Sequence, residues 1–173
     1  MEIQKAFKFC LRCGSPAKAT KHYLACPRCG LDYYYNPKPV QEIALRNSKG
    51  EYLFTVRGAD PKKGYLDFPG GFVDANEDYE EAIRRELKEE LGIEVGELEY
   101  LGSEKEFYMF QNVNYQTVGI CFYAELPLDA KPIPADDVAD IVFYKLENVP
   151  RDRLAWPADH RFLDRLIERE KKS

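Results

Sequence analysis

Two stretches near the middle of the chain, "VQEIALR" and "EYLFTVR", carry closely spaced apolar residues and flank the polar turn "NSKG". That pattern predicts a β-hairpin. A loop, "GADPKKGYLD", follows. Beyond it Tyr79, Ile83, Leu87 and Leu91 recur every fourth residue, which predicts a helix from about Glu77 to Leu91 with one buried stripe. Asp74 or Asn76 is placed to cap it and Gly92 to stop it. Further strands are expected at "LEYLGSEKEFYMF", "YQTVGICFYAEL" and "DIVFYKL", with "LPLDAKPIPADDVAD" as a Pro- and Asp-rich loop. Phe162, Leu163, Leu166 and Ile167 mark a terminal helix over "ADHRFLDRLIEREKK". Strands mixed with two helices indicate an α/β or α+β sandwich.

The first residues differ in character. They are short of aliphatics and punctuated by Cys, Gly and Pro, and two prolines in three residues, Pro37 and Pro39, enforce an extended connector. The expected boundary therefore divides residues 1–36 from residues 37–173. A length of 173 residues suits one ordinary domain plus a small appendage.

Composition narrows the function classes. The chain is 45% hydrophobic and 32% charged, enough for a packed core, and its net charge of -5 argues against a broad nucleic-acid or anionic-membrane surface. No apolar run reaches the length of a membrane span, and "MEIQKAFKFC" lacks the apolar stretch of a signal peptide, so a soluble, cytoplasmic location is expected. Four of the five cysteines form two Cys-x-x-Cys pairs, Cys10 with Cys13 and Cys26 with Cys29, each followed by Gly. Four thiolates in two knuckles match a tetrahedral structural Zn²⁺ site. A filled tetrahedron leaves His22, which lies between the knuckles, as a surface residue, and Cys121 in "VGICFY" reads as a buried strand residue.

The helix itself raises a question of charge. Glu86, Glu89 and Glu90 fall in a sector roughly 100° wide beside the buried stripe, while Glu81, Arg84, Arg85 and Lys88 take the outer face. A solvated face laced with i,i+4 pairs such as Arg85 with Glu89 is the bland explanation. It leaves unexplained Gly70 and Gly71 before the helix and like charges gathered at a core edge. Clustered carboxylate oxygens suit Mg²⁺ or Mn²⁺, hard ions that bridge substrate phosphates.

Gly71, Glu77 and the run Arg85-Glu86-Leu87-Lys88-Glu89-Glu90-Leu91-Gly92-Ile93 resemble the Nudix box, G-x5-E-x7-REU-x-EE-x-GU, without departure. The resemblance implies a Nudix α/β/α sandwich with a mixed sheet. It further implies Glu86, Glu89 and Glu90 as ligands of catalytic Mg²⁺ (or Mn²⁺), with the carbonyl of Gly70 as another, and Glu77 and Arg85 as a pair bracing loop against helix. The implied reaction is hydrolysis of the pyrophosphate bond in a nucleoside diphosphate linked to another group. The base is a box glutamate or a downstream acid such as Glu104, Glu106, Asp136 or Asp137. The segment "FCLRCG…YLACPRCGLDYYYNPKPV" resembles the four-cysteine zinc ribbon preceding the catalytic domain in NADH pyrophosphatase-type Nudix proteins.

An ADP-ribose-like substrate leads, with NADH or NAD as the alternative, although the downstream substrate motifs of those branches are not matched cleanly. Tyr108, Trp156 and Phe107, with Phe110 and Tyr115 behind them, are the candidate partners for a nucleotide base. A rival reading is a non-catalytic Nudix sensor whose ribbon binds nucleic acid or protein. The intact acidic triad argues against it, and the acidic whole makes nucleic acid an unfavoured partner. Isopentenyl diphosphate isomerase chemistry is discounted because Cys121 lies in an apolar strand. The resemblance also implies a homodimer.

Overall fold

In the computed structural model, which describes residues 1–172, Ile43 and Leu45 pack with one set of apolar side chains and Ala44, between them, with another. The same alternation recurs at Tyr52, Leu53 and Phe54, and at Cys121, Phe122, Tyr123 and Ala124. Strand side chains point to opposite faces in turn, so this pattern requires a sheet covered on both faces. The chain forms two units, Met1–Lys38 with Phe107–Thr117, and Pro39–Glu106 with the residues from Val118 on.

The first unit begins with a single helical turn, α1 (Ile3–Ala6), and holds an antiparallel three-stranded sheet of β1 (Lys18–Ala19), β2 (Tyr23–Ala25) and β3 (Asp32–Tyr34). The second unit is built on seven strands: β4 (Lys38–Arg46), β5 (Tyr52–Arg57), β6 (Leu66–Asp67), β7 (Gly70–Phe72), β8 (Glu99–Phe110), β9 (Val113–Glu125) and β10 (Val138–Tyr144). Their order is β10-β5-β4-β9-β8, with β6 paired to β5 and β7 to β4. The distal residues of β8 and β9, within residues 107–117, cluster with the first unit.

Helix α2 (Tyr79–Leu91) covers one face of the sheet through Ile83, Leu87 and Leu91, and α3 (Pro157–Glu170) covers the other through Phe162, Leu163 and Leu166. This is the α/β/α sandwich expected from the sequence. The β4–β5 hairpin closes through Asn47, whose carbonyl accepts the Gly50 N–H at 3.0 Å.

Two details differ from expectation. The N-cap of α2 is Asp78, not Asp74 or Asn76: its side chain accepts the Glu81 N–H at 2.9 Å and Glu81 accepts the Asp78 N–H at 2.9 Å. That reciprocal capping box satisfies two end groups, which a start at Glu77 would leave open. Gly92 closes the helix as expected, in a left-handed conformation at φ 66. The short strand β6 falls within the stretch expected to be loop, and β7 in the stretch before the helix to which no element was assigned. They are too brief to show periodicity and exist because β5 and β4 pair with them.

Candidate active site

The β7–α2 connection gathers the functional residues. Gly70 and Gly71 pair with Glu42 and Gln41 of β4, which brings β7 against α2. A Cβ on Gly70, whose φ is +142, would strike the Gln41 carbonyl, and one on Gly71 would lie 2.6 Å from Glu86 Oε1. Both positions therefore need glycine, and the bare backbone leaves a recess against the Glu86 carboxylate.

Arg85 organises this recess. Its Nε and Nη2 donate to both Glu77 oxygens, at 3.0 and 2.7 Å, and Nη2 also donates to the Phe72 carbonyl at 3.0 Å. Its Nη1 donates to Glu86 Oε1 at 2.9 Å and Glu89 Oε2 at 3.0 Å. The helical wheel puts Arg85 on the outer face, and the long side chain reaches acceptors both before the helix and on it. Glu77 is tied further by the Asp74 N–H at 2.7 Å, and its pKa falls to about 2, chiefly through the Arg85 hydrogen bonds.

The three carboxylates differ in setting. Glu89 is half exposed, with 51% of its side chain open to solvent. Glu86 is only 14% exposed, and burial lifts its pKa above the ordinary range despite Arg85. Glu90 is buried and accepts the Gly70 N–H at 3.2 Å; its pKa rises to about 9, first through burial and then through the Glu86 charge. Two neighbouring carboxylates that resist ionisation, beside a recess kept open by glycine, fit a hard divalent cation. Glu86, Glu89 and Glu90 with the Gly70 carbonyl could hold it.

The base candidates separate as well. Glu104 is clamped between Arg161 (2.6 Å) and Arg165 (2.7 Å). Burial alone would raise its pKa, but the two guanidinium groups outweigh this and hold it below the ordinary value. Glu106 pairs with Arg161 at 3.4 Å. Asp136 adopts a positive φ of 52, and the charge of Asp137 adds to the upward shift of Glu86 and Glu90. The loop carrying these aspartates runs along the end of α2, where Ala135 donates to the Glu90 carbonyl at 2.8 Å.

The aromatic candidates lie in different units. Phe107, Tyr108, Phe110 and Tyr115 belong to the first unit, with the Tyr108 and Phe110 rings stacked at 6.1 Å. Trp156, in the second unit, is the N-cap of α3, and its Nε1 donates to Asp67 Oδ2 at 3.1 Å under the Arg57 guanidinium. Sequence reasoning missed Glu42, Asp67 and Asp159, whose carboxylates lie within 4.8 Å of one another. Nothing in their isolated positions along the chain announces that grouping.

In the first unit the Sγ atoms of Cys10, Cys13, Cys26 and Cys29 also lie within 4.8 Å of one another, with Cys10–Cys29 and Cys13–Cys26 each at 3.6 Å. A tetrahedral zinc–thiolate site has an S···S edge of roughly 3.8 Å, so this spacing is compatible with zinc. Each knuckle closes identically: Gly14 donates to the Cys10 carbonyl and Gly30 to the Cys26 carbonyl, both at 3.0 Å, with both glycines left-handed. Hydrogen bonds from Ser15 lower the Cys13 pKa to about 6, while Cys29, against its Leu31 backbone hydrogen bond, is pushed up to about 11 by burial and the neighbouring thiols, so the four sulfurs share their protons unequally. His22 is exposed and is not part of the cluster.

Comparison with known proteins adds the following. The NUDIX domain model matches residues 37–166. A protein of Pseudomonas aeruginosa (strain LESB58) named NAD-capped RNA hydrolase NudC is 30% identical over 146 residues, 83% of this chain and 49% of that protein. The protein of the same name from Haemophilus influenzae (strain PittGG) is 35% identical over 103 residues, 58% of this chain and 39% of its own length. The chain thus spans about half or less of the length of these relatives. Among solved structures, a NUDIX hydrolase from Nitrosomonas europaea aligns with a TM-score of 0.75 at 24% identity, covering 96% of this chain and 94% of that one. The NUDIX domain of Shewanella oneidensis NrtR, solved with ADP ribose, aligns with a TM-score of 0.66 at 21% identity, over 79% and 90% of the two chains.

Proposed function

The chain belongs to the NUDIX domain family, and we propose that it hydrolyses the pyrophosphate bond of a nucleoside diphosphate derivative with a divalent cation at the β7–α2 recess. The observation that carries the reading is Arg85. One guanidinium, held by both oxygens of Glu77, fixes Glu86 beside the Gly71 recess and also bonds Glu89, while Glu90 is fixed by the Gly70 N–H.

Glu86, Glu89, Glu90 and the Gly70 carbonyl are the proposed ligands of Mg²⁺ or Mn²⁺. When bound there, the ion supplies charge neutralisation at the phosphate oxygens and a lowered pKa for the attacking water. Glu77 and Arg85 act by position: they hold the ligand carboxylates in place before substrate arrives. Asp137 is the favoured base among the downstream acids, because its loop is tied to the end of α2 by the Ala135 N–H to the Glu90 carbonyl while Glu104 and Glu106 are engaged by arginines. The four-cysteine cluster is proposed to hold structural Zn²⁺.

An ADP-ribose-like compound is the proposed substrate class. A second reading, hydrolysis of NAD or NADH, is favoured by the names of the relatives at 30% and 35% identity. The test is product analysis with Mg²⁺ and a panel of ADP-ribose, NADH, NAD, diadenosine polyphosphates and nucleoside triphosphates, with Glu89→Gln as control. AMP and ribose 5-phosphate from ADP-ribose, lost in the variant, is the expected result. AMP with nicotinamide mononucleotide from NAD, or with its reduced form from NADH, without turnover of ADP-ribose, would instead support the second reading. No turnover of any compound by folded protein would contradict both.

A further inference from the structure

Away from β7 and α2, the turn of the β4–β5 hairpin, the residues after β10 and the end of α3 line a cleft of about 470 Å³. Lys49 lies in the turn, Lys145 directly follows β10, and Lys171 is the C-cap of α3. Leu146, Ile167 and the buried Tyr52 supply its apolar surface, and Glu147 and Glu170 are its acids.

The two acids differ in how far they are already engaged. Glu170 Oε1 accepts the Tyr52 hydroxyl at 2.8 Å and Arg169 Nη1 at 3.1 Å, and its Oε2 faces Arg46 Nε at 3.7 Å. Its charge is therefore balanced from behind the cleft. The ion pairs of lysine are those of Lys5 and Lys88, so Lys49, Lys145 and Lys171 are unpaired among the described residues. Glu147 offsets one of the three lysines, which leaves two positive charges at one cleft of a protein whose net charge is -5. A solvated face is the ordinary fate of surface lysines. Here three separate elements carry them to the same cleft, and like charges gathered without partners attract an anion.

We propose that this cleft binds a small organic phosphate monoester, at a site distinct from the hydrolytic recess. Such an ester carries close to two negative charges at neutral pH, which match the surplus. Lysine ammonium groups hold phosphate as point charges without a fixed fork geometry, so exposed and flexible side chains suffice. The volume lies within the range of small-molecule sites, roughly 300–1,000 Å³, and exceeds what a bare phosphate ion fills. The apolar surface of Leu146 and Ile167 is then left to face the organic group. None of the lining residues comes from β7 or α2, so the charge match does not depend on the proposed hydrolysis.

The test is an amide NMR titration of the full chain, without added divalent ion, using AMP and ribose 5-phosphate. Adenosine and ribose serve as phosphate-free controls. Saturable shifts of the Gly50, Leu146 and Lys171 amides with at least one ester, and none with its control, are the expected result. Lys49→Gln combined with Lys145→Gln should weaken that binding by about tenfold or more, whereas Lys49→Arg with Lys145→Arg should retain it. Both lysines are exposed, so these variants keep the fold. Failure of both esters to shift these amides, equal shifts from the controls, shifts confined to Gly70 and Gly71, or unchanged affinity in the glutamine variant would overturn the proposal.

Discussion

At the scale of single residues, the proposed site depends on the unequal settings of its carboxylates. Glu77 receives both nitrogens of one guanidinium, so it stays ionised down to a pH of about 2. Its folded pKa lies below the ordinary value, so its contribution to stability is present above roughly pH 4.3 and is lost as pH falls towards 2. Glu77→Gln keeps the shape but removes the charge that aligns Arg85. The expected result is a fall in kcat of about 10–100-fold with KM little changed, measured in steady-state assays. An unchanged kcat would remove the bracing role. Glu90 shifts the opposite way, up to about 9. Its folded pKa lies above the unfolded one, so its contribution is present at low pH and is lost as pH rises through that value. Without added divalent ion, the melting temperature should therefore fall as pH rises through neutrality; Mg²⁺ should reduce that fall and Glu90→Gln should flatten it. A wild-type profile that is flat without Mg²⁺ would contradict the assignment. The box residues were legible in the sequence because their chemistry is local and their spacing is helical. The bond from Arg85 to Glu86, its neighbour in sequence, was not, because a wheel places Cβ atoms and takes no account of a side chain several bonds long.

At the scale of elements, α2 is held by its core stripe and by its cap. Asp78→Ala should cost about 1 kcal/mol, read as a lowered midpoint in chemical denaturation. Asp74→Ala should cost less, since Asp74 contributes its backbone N–H and not its side chain to Glu77. Equal losses from the two substitutions would refute the observed cap. Asp74 and Asn76 were the expected caps, and Asp78, a few residues further on, was not among them; its partner Glu81 is what distinguishes it. Longer strands were legible from their apolar runs. β6 and β7 were not, since two or three residues carry no period and their pairing is set by distant neighbours. Glu42, Asp67 and Asp159 were hidden for the same reason: they meet only through the pairing of strands and the docking of α3.

At the scale of the whole molecule, the two buried cores of the sandwich draw on the second unit alone, with no residue from 1–38 or 107–117. The four-cysteine cluster lies entirely in the first unit. Cys26→Ser should lower the zinc content from about one ion per chain to none by elemental analysis, while the far-ultraviolet signal of α2 and α3 persists. Unchanged zinc would contradict the four-cysteine assignment. Among the described residues no helix is long and apolar enough to cross a membrane. The division into units was partly legible from the Pro37–Pro39 connector. The grouping of residues 107–117 with the first unit was not, because β8 and β9 read as continuous strands.

The central claim is that an Arg85-braced set of glutamates on α2 drives divalent-dependent cleavage of a pyrophosphate bond. The most direct measurement is the initial rate of AMP release from ADP-ribose and from NADH across a Mg²⁺ titration, for the wild-type chain and for Glu86→Gln. The account predicts saturable Mg²⁺ activation with at least one of the two substrates. It also predicts a loss on the order of 10²–10³-fold or more in the variant at saturating Mg²⁺. A wild-type rate independent of Mg²⁺, or a variant as active as the wild type, would contradict it.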